Sequence, residues 1–302
     1  MREVAVVTTG FFDGVHLGHR HVLSTVVSAA RERGEEATVV TFWPHPRTVL
    51  QQDARDLRLL TTLAEKKALL KAAGIDRIEV IPFTREFAAM KAQEYLEMLK
   101  ARYGASLVVM GYDNHIGADL LSAGALEGLS GAKMPQIAPV SVFSSYSGAK
   151  TPLSAPISST QIRKALQVGK VELAADMLGY RYGLQGVVVA GNRLGRTMGF
   201  PTANMQLYEP LKLVPANGVY AVEVEVDGRN FRGMCNIGVR PTVGGAAQTI
   251  ETHILDFDED IYGLPIGLRF FRRIRDERKF PSLDALRLQL EKDRDAVSLP
   301  LL

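Results

Sequence analysis

The chain has 302 residues, of which 46% are hydrophobic, and its 36 lysines and arginines nearly balance its 33 aspartates and glutamates. This length is enough for two domains. The nearly balanced charge gives no argument for a nucleic-acid or membrane partner. The chain has one cysteine, Cys235, which excludes a disulfide framework and a cysteine-based metal cluster and, because it lies in an apolar run, is expected to be a buried thiol. No apolar run approaches about 18 residues, which excludes a membrane span. We therefore expect a soluble, cytoplasmic protein.

Short β-branched runs alternate with longer stretches of helical periodicity up to about residue 181. The predicted strands are 4–8, 37–42, 78–82, 107–110 and a weaker run at 136–142, and the predicted helices are 19–33, 63–73 and 88–103. This alternation indicates an α/β fold with a doubly wound parallel sheet, as a first domain of residues 1–181. Ligands of such sheets lie beyond the carboxyl ends of the strands, where the loop at 10–14 falls.

Period-two strands replace the helices after about residue 182, which predicts a small antiparallel β-barrel as a second domain of residues 182–302. The predicted strands are 184–190, 220–226, 231–236, 249–257 and 268–274. Asp227 and Gly228 supply the residue types of a tight hairpin turn. Ser282 is the expected N-cap of one closing helix, which carries leucines 283, 286 and 290 on one face.

The first loop, at residues 8–19, has the sequence TTGFFDGVHLGH between a predicted strand and a predicted helix. His16 and His19 are three residues apart and fall on one face of the first helical turn, whose amides attract anions. We therefore expect a phosphate cradle, although either histidine alone would be typical of a cap or a solvated side chain. The pattern GxFDGxHxGH resembles the signature of nucleotidyltransferases, and the nucleotide-binding candidates are Gly10, Phe12, Asp13, Gly14 and Gly18.

A second string, ISSTQIR at residues 157–163, places hydroxyls at a helix start and a cation one turn later. Capping alone would explain the hydroxyls. In combination with the HxGH string it resembles the second half of an adenylyltransferase pattern, in which Ser159, Thr160 and Arg163 would hold a triphosphate from the side opposite the histidines. Adenylyl transfer to an existing phosphate needs no general base, because the nucleophile is already an anion, so positioning and charge neutralisation suffice.

A third string, GNRLGRTMGFPTAN, follows the first predicted strand of the second domain. Its glycines predict a pliable flap, although their spacing is as typical of a hairpin loop. The oxygens of Thr202 and Asn204 suit Mg²⁺ bound to nucleotide phosphates, and Gly199 and Pro201 would lie beside the nucleotide. Further on, strand alternation turns Glu251 to the face opposite Ile250 and Thr252, where a solvent-facing glutamate is the default.

Over essentially its whole length the chain resembles the bacterial bifunctional riboflavin kinases/FMN adenylyltransferases, also called FAD synthetases. The matching strings of the first half are GFFDGVHLGH, the PHP around His45, LTTLAEKKALL and ISSTQIR. Those of the second half are GRTMGFPTAN, NIGVRPT, ETHILDF, the YG at 262–263 and IRDERKF. The resemblance leaves a homo-oligomer open, and no motif reports one.

The resemblance implies two ATP-dependent reactions on small-molecule substrates. In the second half, Thr202 and Asn204 would hold Mg²⁺-ATP while Glu251 acts as general base on riboflavin to give FMN. In the first half FMN would become FAD with release of pyrophosphate, with His16, His19 and Arg163 as catalytic residues, Asp113 at the nucleotide, and His45 and Pro46 at the flavin.

One segment departs from the family pattern, because Asn114 and Ile116 stand where aromatic residues are usual and the following loop lacks its basic residue. Each lost stacking pair contributes on the order of 0.5 to 1.5 kcal/mol, so we expect weaker FMN binding unless Trp43, Phe83 or His115 compensates. Three alternatives stay open: a riboflavin kinase with a weak or inactive adenylyltransferase half, a non-catalytic flavin-binding regulator, and a transferase for nicotinamide mononucleotide or phosphopantetheine.

Overall fold

A computed structural model describes residues 4–50, 56–112, 114–127, 134–141, 156–191, 194–242 and 245–298. The chain forms two compact units, Met1–Ser159 and Thr160–Leu302. The domain boundary between residues 181 and 182 stays a prediction. Among the helices that this structure describes, none is long and apolar enough to cross a membrane.

The described part of the first unit contains a parallel sheet with the strand order β3-β2-β1-β4-β7, which confirms the doubly wound architecture. Its strands are β1 (Ala5–Thr9), β2 (Glu36–Trp43), β3 (Arg77–Pro82), β4 (Ala105–Gly111) and β7 (Gln136–Val140), beside a hairpin of β5 (His115–Ile116) and β6 (Leu121–Ser122). Its helices are α1 (Leu17–Arg33), α2 (Pro46–Leu50), α3 (Leu63–Ala72), α4 (Arg85–Ala88), α5 (Ala92–Tyr103) and α6 (Ala123–Glu127). The strand order reverses at β1, so the loop after β1 lies where such sheets bind ligands.

Helices cover both faces of this sheet. Successive residues of β1 point to opposite faces, and each face packs into its own hydrophobic core. Val6 packs in a cluster with Leu23 of α1 and Leu70 of α3, whereas Val7 packs in a second cluster with Leu96 of α5. Every residue of β1 is buried. The end of this strand is therefore a rigid support for the loop that follows.

The predicted helix at 88–103 begins too early, because α4 ends at Ala88 and α5 begins at Ala92. The Asp119 carboxylate accepts the Ala92 N–H at 2.9 Å, and the Met90 carbonyl accepts the Ala118 N–H at 2.8 Å. Gly117 has φ +79°, and a Cβ there would lie 2.1 Å from the Ala92 nitrogen. The start of α5 is thus fixed by a loop more than twenty residues away, which local periodicity does not report.

The second unit contains a closed β-barrel in its described residues, with the strand order β10-β11-β12-β9-β8-β13 and antiparallel neighbours, which confirms the predicted barrel. Its strands are β8 (Gly183–Val189), β9 (Ala203–Leu207), β10 (Gly218–Val226), β11 (Arg229–Thr242), β12 (Gly245–Ile254) and β13 (Pro265–Arg275). Its helices are α7 (Ser159–Gln167), which begins at the last residue of the first unit, α8 (Val171–Leu178), α9 (Leu194–Thr197) and α10 (Leu283–Ser298).

Three local predictions for the barrel are confirmed and one is wrong. Asp227 and Gly228 form the β10–β11 turn with φ of 50° and 68°, and Ser282 Oγ caps α10 by accepting the Ala285 N–H at 3.2 Å. Cys235 is fully buried, and that burial raises the pKa of its thiol to about 12. The flap, however, contains the four-residue helix α9, where no helix was expected.

Candidate active sites

The loop between β1 and α1 has a strained backbone. Phe12 and Val15 have φ of 53° and 38°, the left-handed region that side chains disfavour, and Gly14 has φ of 84°. Such conformations cost about 1–3 kcal/mol each in non-glycine residues and are concentrated at functional sites. At Gly10, a Cβ would lie 3.2 Å from the Phe12 ring, so the glycine lets that ring fold back over the loop.

Buried hydrogen bonds hold this strained loop in place. The Asp13 carboxylate accepts the N–H groups of Leu60 and Thr61, each at 3.0 Å, and Gly14 donates its N–H to Thr61 Oγ1 at 3.1 Å. Ser159 Oγ donates to the Asp13 backbone carbonyl at 2.9 Å. The Asp13 carboxylate and the Ser159 hydroxyl therefore fasten the loop, and their predicted contact with a nucleotide stays a prediction.

His16 and His19 are brought together at the start of α1. His16 is the N-cap, and its Nδ1 accepts the His19 N–H at 3.3 Å, while the two rings stack with centroids 3.6 Å apart. A Cβ at Gly18 would lie 3.2 Å from His16 Cε1, so glycine leaves the space that this ring occupies. The sequence motif thus forms one rigid pair of imidazoles.

His19 is electrostatically poised as a neutral group. Burial, then the charges of His16 and Lys66, hold its pKa well below the usual value, and its Nδ1 is buried without a hydrogen-bond partner in the described residues. The unfolded chain binds this proton more readily, so the free energy of unfolding should fall as the pH drops below about 6.5. A neutral imidazole can still donate one hydrogen bond to a polar ligand.

The other predicted members of this site are placed less completely. Thr160 and Arg163 lie in the first turns of α7, in the second unit, so their place around a nucleotide stays a prediction. Asp113 lies outside the described residues.

The predicted flavin loop lies beside the cradle loop. The His45 ring meets the Phe11 ring edge-on at 4.2 Å, and Phe11 also faces Trp43 with centroids 6.4 Å apart. Pro46 is the first residue of α2, where its fixed φ suits a helix start. Neither Phe11 nor Lys66 was predicted from the sequence to be a site residue. The Lys66 ammonium lies 3.8 Å from the centroid of the Phe11 ring.

The segment that departs from the family pattern has structural contacts of its own. Asn114 donates from Nδ2 to the carbonyl of Thr9, the last residue of β1, at 2.9 Å, and Ile116 is buried in the core with α5. His115 is exposed. Both side chains are therefore engaged in contacts within the first unit, and neither supplies the aromatic ring that the family pattern implies for a flavin.

The barrel brings together the three residues predicted for the second site. Glu251 of β12 lies directly opposite Asn204 of β9, so their side chains share one face, and Thr202 Oγ1 donates to Glu251 Oε2 at 3.4 Å. Ile250 and Thr252 are buried while Glu251 is only half-buried, which confirms the predicted alternation. A Cβ at Gly191 would lie 2.2 Å from Asn204 Nδ2, so this glycine permits the amide to pack against the flap.

A cavity of about 270 Å³ lies beside these residues. Thr202 and Thr252 contribute to its wall, and so does the segment 257–262. The ends of that segment belong to the ETHILDF and YG strings, but none of its residues was predicted to be a site residue. The wall mixes apolar residues with polar ones: Val188, Pro201, Ile254, Phe257 and Ile261 with Arg196, Asp258, Glu259, Asp260 and Tyr262. Such a lining is typical of a site for a small, partly apolar ligand.

His253 connects β12 to the Phe200-Pro201-Thr202 segment. Its Nδ1–H donates to the Pro201 carbonyl at 2.8 Å, and its ring meets the Phe200 ring edge-on at 5.2 Å. Burial lowers the pKa of His253, so the ring is neutral near pH 7. Gly199, with φ +81°, makes the turn that precedes this segment.

The oxygen atoms at this site fit a hard cation. A hydroxyl (Thr202), an amide (Asn204) and a carboxylate (Glu251) are the donor types that Mg²⁺ prefers. No cluster of three or more histidine, cysteine, aspartate or glutamate side chains that could hold a metal occurs among the residues that the structure describes. A cation here would thus depend on a ligand's own oxygens as well.

Comparisons with known proteins agree on both halves of the chain. The FAD synthetase family model matches residues 1–154, and the riboflavin kinase family model matches residues 178–299. The bifunctional riboflavin kinase/FMN adenylyltransferase of Bacillus subtilis is 36% identical over 293 residues, 96% of this chain and 90% of that protein. The protein of that name from Escherichia coli K12 is 37% identical over 294 residues, 97% of this chain and 91% of its own.

One solved structure has the same fold over almost the whole chain. It is a Streptococcus pneumoniae protein described as a macrolide-efflux protein, 33% identical, with a TM-score of 0.90 over 98% of this chain and 94% of that one. The efflux description agrees with neither family model. The likeness therefore contributes the fold and its arrangement of elements.

Proposed function

The chain belongs to the family of bifunctional riboflavin kinases/FMN adenylyltransferases, and we propose that it converts riboflavin to FMN and FMN to FAD, with one ATP consumed in each reaction. The observation that carries this proposal is the match of each half to its own family model, with a separate cluster of polar residues in each half. We place both reactions in the cytoplasm, because both depend on ATP.

The kinase half needs a base, because an alcohol must lose its proton as it attacks a phosphoryl group. Glu251 is the carboxylate at the site, and its hydrogen bond with Thr202 orients it beside the cavity. Thr202 and Asn204 would hold the Mg²⁺ of Mg²⁺-ATP, which when bound neutralises charge on the phosphates. The cavity beside them would hold the nucleoside, with Gly199 and Pro201 in the flap that borders it.

The adenylyltransferase half needs no base, because the FMN phosphate is already an anion. Its work is to hold the α-phosphate in line with the attacking oxygen and to stabilise charge on the departing pyrophosphate. The amides at the start of α1 and the polar edges of His16 and His19 would do this, with Thr160 and Arg163 of α7 added. The strained loop at 10–15 sets the direction of these groups in advance.

A second candidate function is a riboflavin kinase whose adenylyltransferase half is weak. The observation that favours it is the commitment of Asn114 to the end of β1 and of Ile116 to the core. Both positions then lack the aromatic stacking that the family pattern implies, and only FMN binding, not the chemistry of the cradle, would suffer.

Incubating the purified protein with riboflavin, ATP and Mg²⁺, and separating the flavins by chromatography over time, tests both candidates. We expect FMN first and FAD after it. FMN that accumulates and is never converted, even when supplied in excess, would favour the second candidate. Absence of both products would contradict the proposed function and support a binding protein instead.

We expect His253 to support the kinase reaction by holding the Phe200-Pro201-Thr202 segment of the flap in place through its hydrogen bond to the Pro201 carbonyl. Leucine at this position (H253L) removes the bond to the Pro201 carbonyl, and loss of such an orienting contact typically lowers activity about 10- to 100-fold. Asparagine (H253N) places an amide nitrogen near the position of Nδ1 and should retain most of the activity. Steady-state phosphorylation rates at varied ATP and Mg²⁺, with thermal unfolding as the folding control, would measure this, and equal losses in the two variants would contradict it.

A further inference from the structure

A lysine lies buried beside the cradle loop of the first unit. Lys66 of α3 is 1% exposed. Its Nζ donates to the Phe11 carbonyl at 2.9 Å and to Thr41 Oγ1 at 3.1 Å, and it lies 3.8 Å from the centroid of the Phe11 ring. Buried lysines are rare in proteins unless a partner compensates the charge, so the burial of Lys66 among these three contacts requires an explanation.

The three partners match an ammonium group and not a neutral amine. Thr41 Oγ1 donates its own proton to the Phe11 carbonyl at 3.2 Å, so towards Lys66 it acts as an acceptor. The carbonyl oxygen and the ring face are also electron-rich. A protonated Nζ has three hydrogens for these three partners, whereas a neutral amine would direct its lone pair at one of them.

We propose that Lys66 is a positioning residue for adenylyl transfer, whose charged side chain holds Phe11 and thereby the strained turn of residues 12–15 that carries the histidine pair. The inference rests on the proposed function of the first half. Phe11 immediately precedes the left-handed Phe12, so a shift of its carbonyl would rotate the amides that are to face phosphate. Phe11 also contacts His45, which connects the same ammonium to the predicted flavin loop.

The charge is maintained at a cost to the fold. Burial lowers the pKa of Lys66 to about 8, while the nearby charge of Asp13 acts in the opposite direction. The unfolded lysine binds its proton more tightly, so folding favours the neutral amine and stability rises as the pH rises from about 8 towards about 10.4. An apolar residue of equal length would fill the space without this cost, which favours a functional role for the charge.

The other titratable groups near this position are His16, His19 and His45, together with Asp13. Burial holds the pKa of His19 below its usual value, so it does not titrate on the alkaline side of neutrality. Lys66 is therefore expected to set an alkaline limit on FAD formation, which should decline above a pH of about 8. Riboflavin phosphorylation in the second unit should not share that limit.

The test compares wild type with K66M and K66R in the full-length protein. FMN adenylylation and riboflavin phosphorylation are measured at saturating substrates from about pH 6.5 to about pH 9.5, around the Lys66 value. We expect K66M to lose at least about tenfold in adenylylation below a pH of about 8. The gap should narrow above that pH as the wild-type rate declines, because K66M should show no alkaline decline, and its phosphorylation should be normal. K66R, whose charge does not titrate in this range, should retain adenylylation and lose the alkaline decline.

Two results would overturn the inference: K66M adenylylating FMN at the wild-type rate, or K66M keeping the wild-type alkaline decline. If K66M proved unstable, as judged by thermal unfolding, the pH profile of K66R would decide alone. A wild-type protein that forms no FAD from FMN would overturn the proposed adenylylation together with this inference. Wild-type activity with an unaffected K66M would overturn the inference only.

Discussion

Replacement of Glu251 by glutamine is expected to lower riboflavin phosphorylation by about 10²- to 10⁴-fold, the usual contribution of a general base. The amide keeps the size of the side chain and an oxygen that can accept the Thr202 hydroxyl, but it cannot take the proton of the attacking alcohol. Initial rates of FMN formation would measure the loss. Because the base acts in the transition state, kcat should fall while the KM values for riboflavin and ATP change little.

The same protein supplies the control for this variant. FMN adenylylation by E251Q should equal that of wild type, because the cradle lies in the other unit. E225Q is the matched surface control, since Glu225 lies on β10 and forms an exposed pair with Arg269. If E251Q phosphorylated riboflavin within about tenfold of wild type, Glu251 would not be the base, because such groups contribute more than that.

The sequence predicted the fold wherever local chemistry alone determines structure. The β-branched runs identified all five strands of the parallel sheet. Asp227-Gly228 identified the β10–β11 hairpin of the barrel, because few residue types adopt two successive positive φ values. The division of α4 from α5 escaped prediction because Asp119, far along the chain, caps α5. Strand β9 escaped it because pairing with β8 and β12, and not its own pattern, makes it a strand.

The same distinction separates the site residues that could be predicted from those that could not. Spacing along one element was enough to pair His16 with His19, whose rings the helix start then stacks. Lys66 lies in the LTTLAEKKALL string that matches the family, but that string gives it no role. Only the Phe11 carbonyl, 55 residues away, shows why it is buried. Asp13 was predicted at the nucleotide from its motif, and the structure adds that its carboxylate anchors the loop to residues 60–61.

Replacement of His19 by alanine is expected to lower FMN adenylylation by about 10²- to 10³-fold, the usual effect of removing one preorganised group that stabilises transition-state charge. The reason is its state in the structure: a ring stacked on His16, kept neutral by burial, with a buried nitrogen that has no partner in the described residues. Initial rates of FAD and pyrophosphate formation from FMN and ATP would measure the loss. Riboflavin phosphorylation should remain unchanged.

His21 supplies the matched control on the same helix. Two residues further along α1, it projects about 200° around the helix axis from His19, away from the His16 stack. H21A should therefore adenylylate FMN at nearly the wild-type rate, while H19A does not. If H19A were as active as H21A, the histidine pair would serve only to cap α1, and the charge on the departing pyrophosphate would have to be met by other groups, such as Arg163 and the helix-start amides.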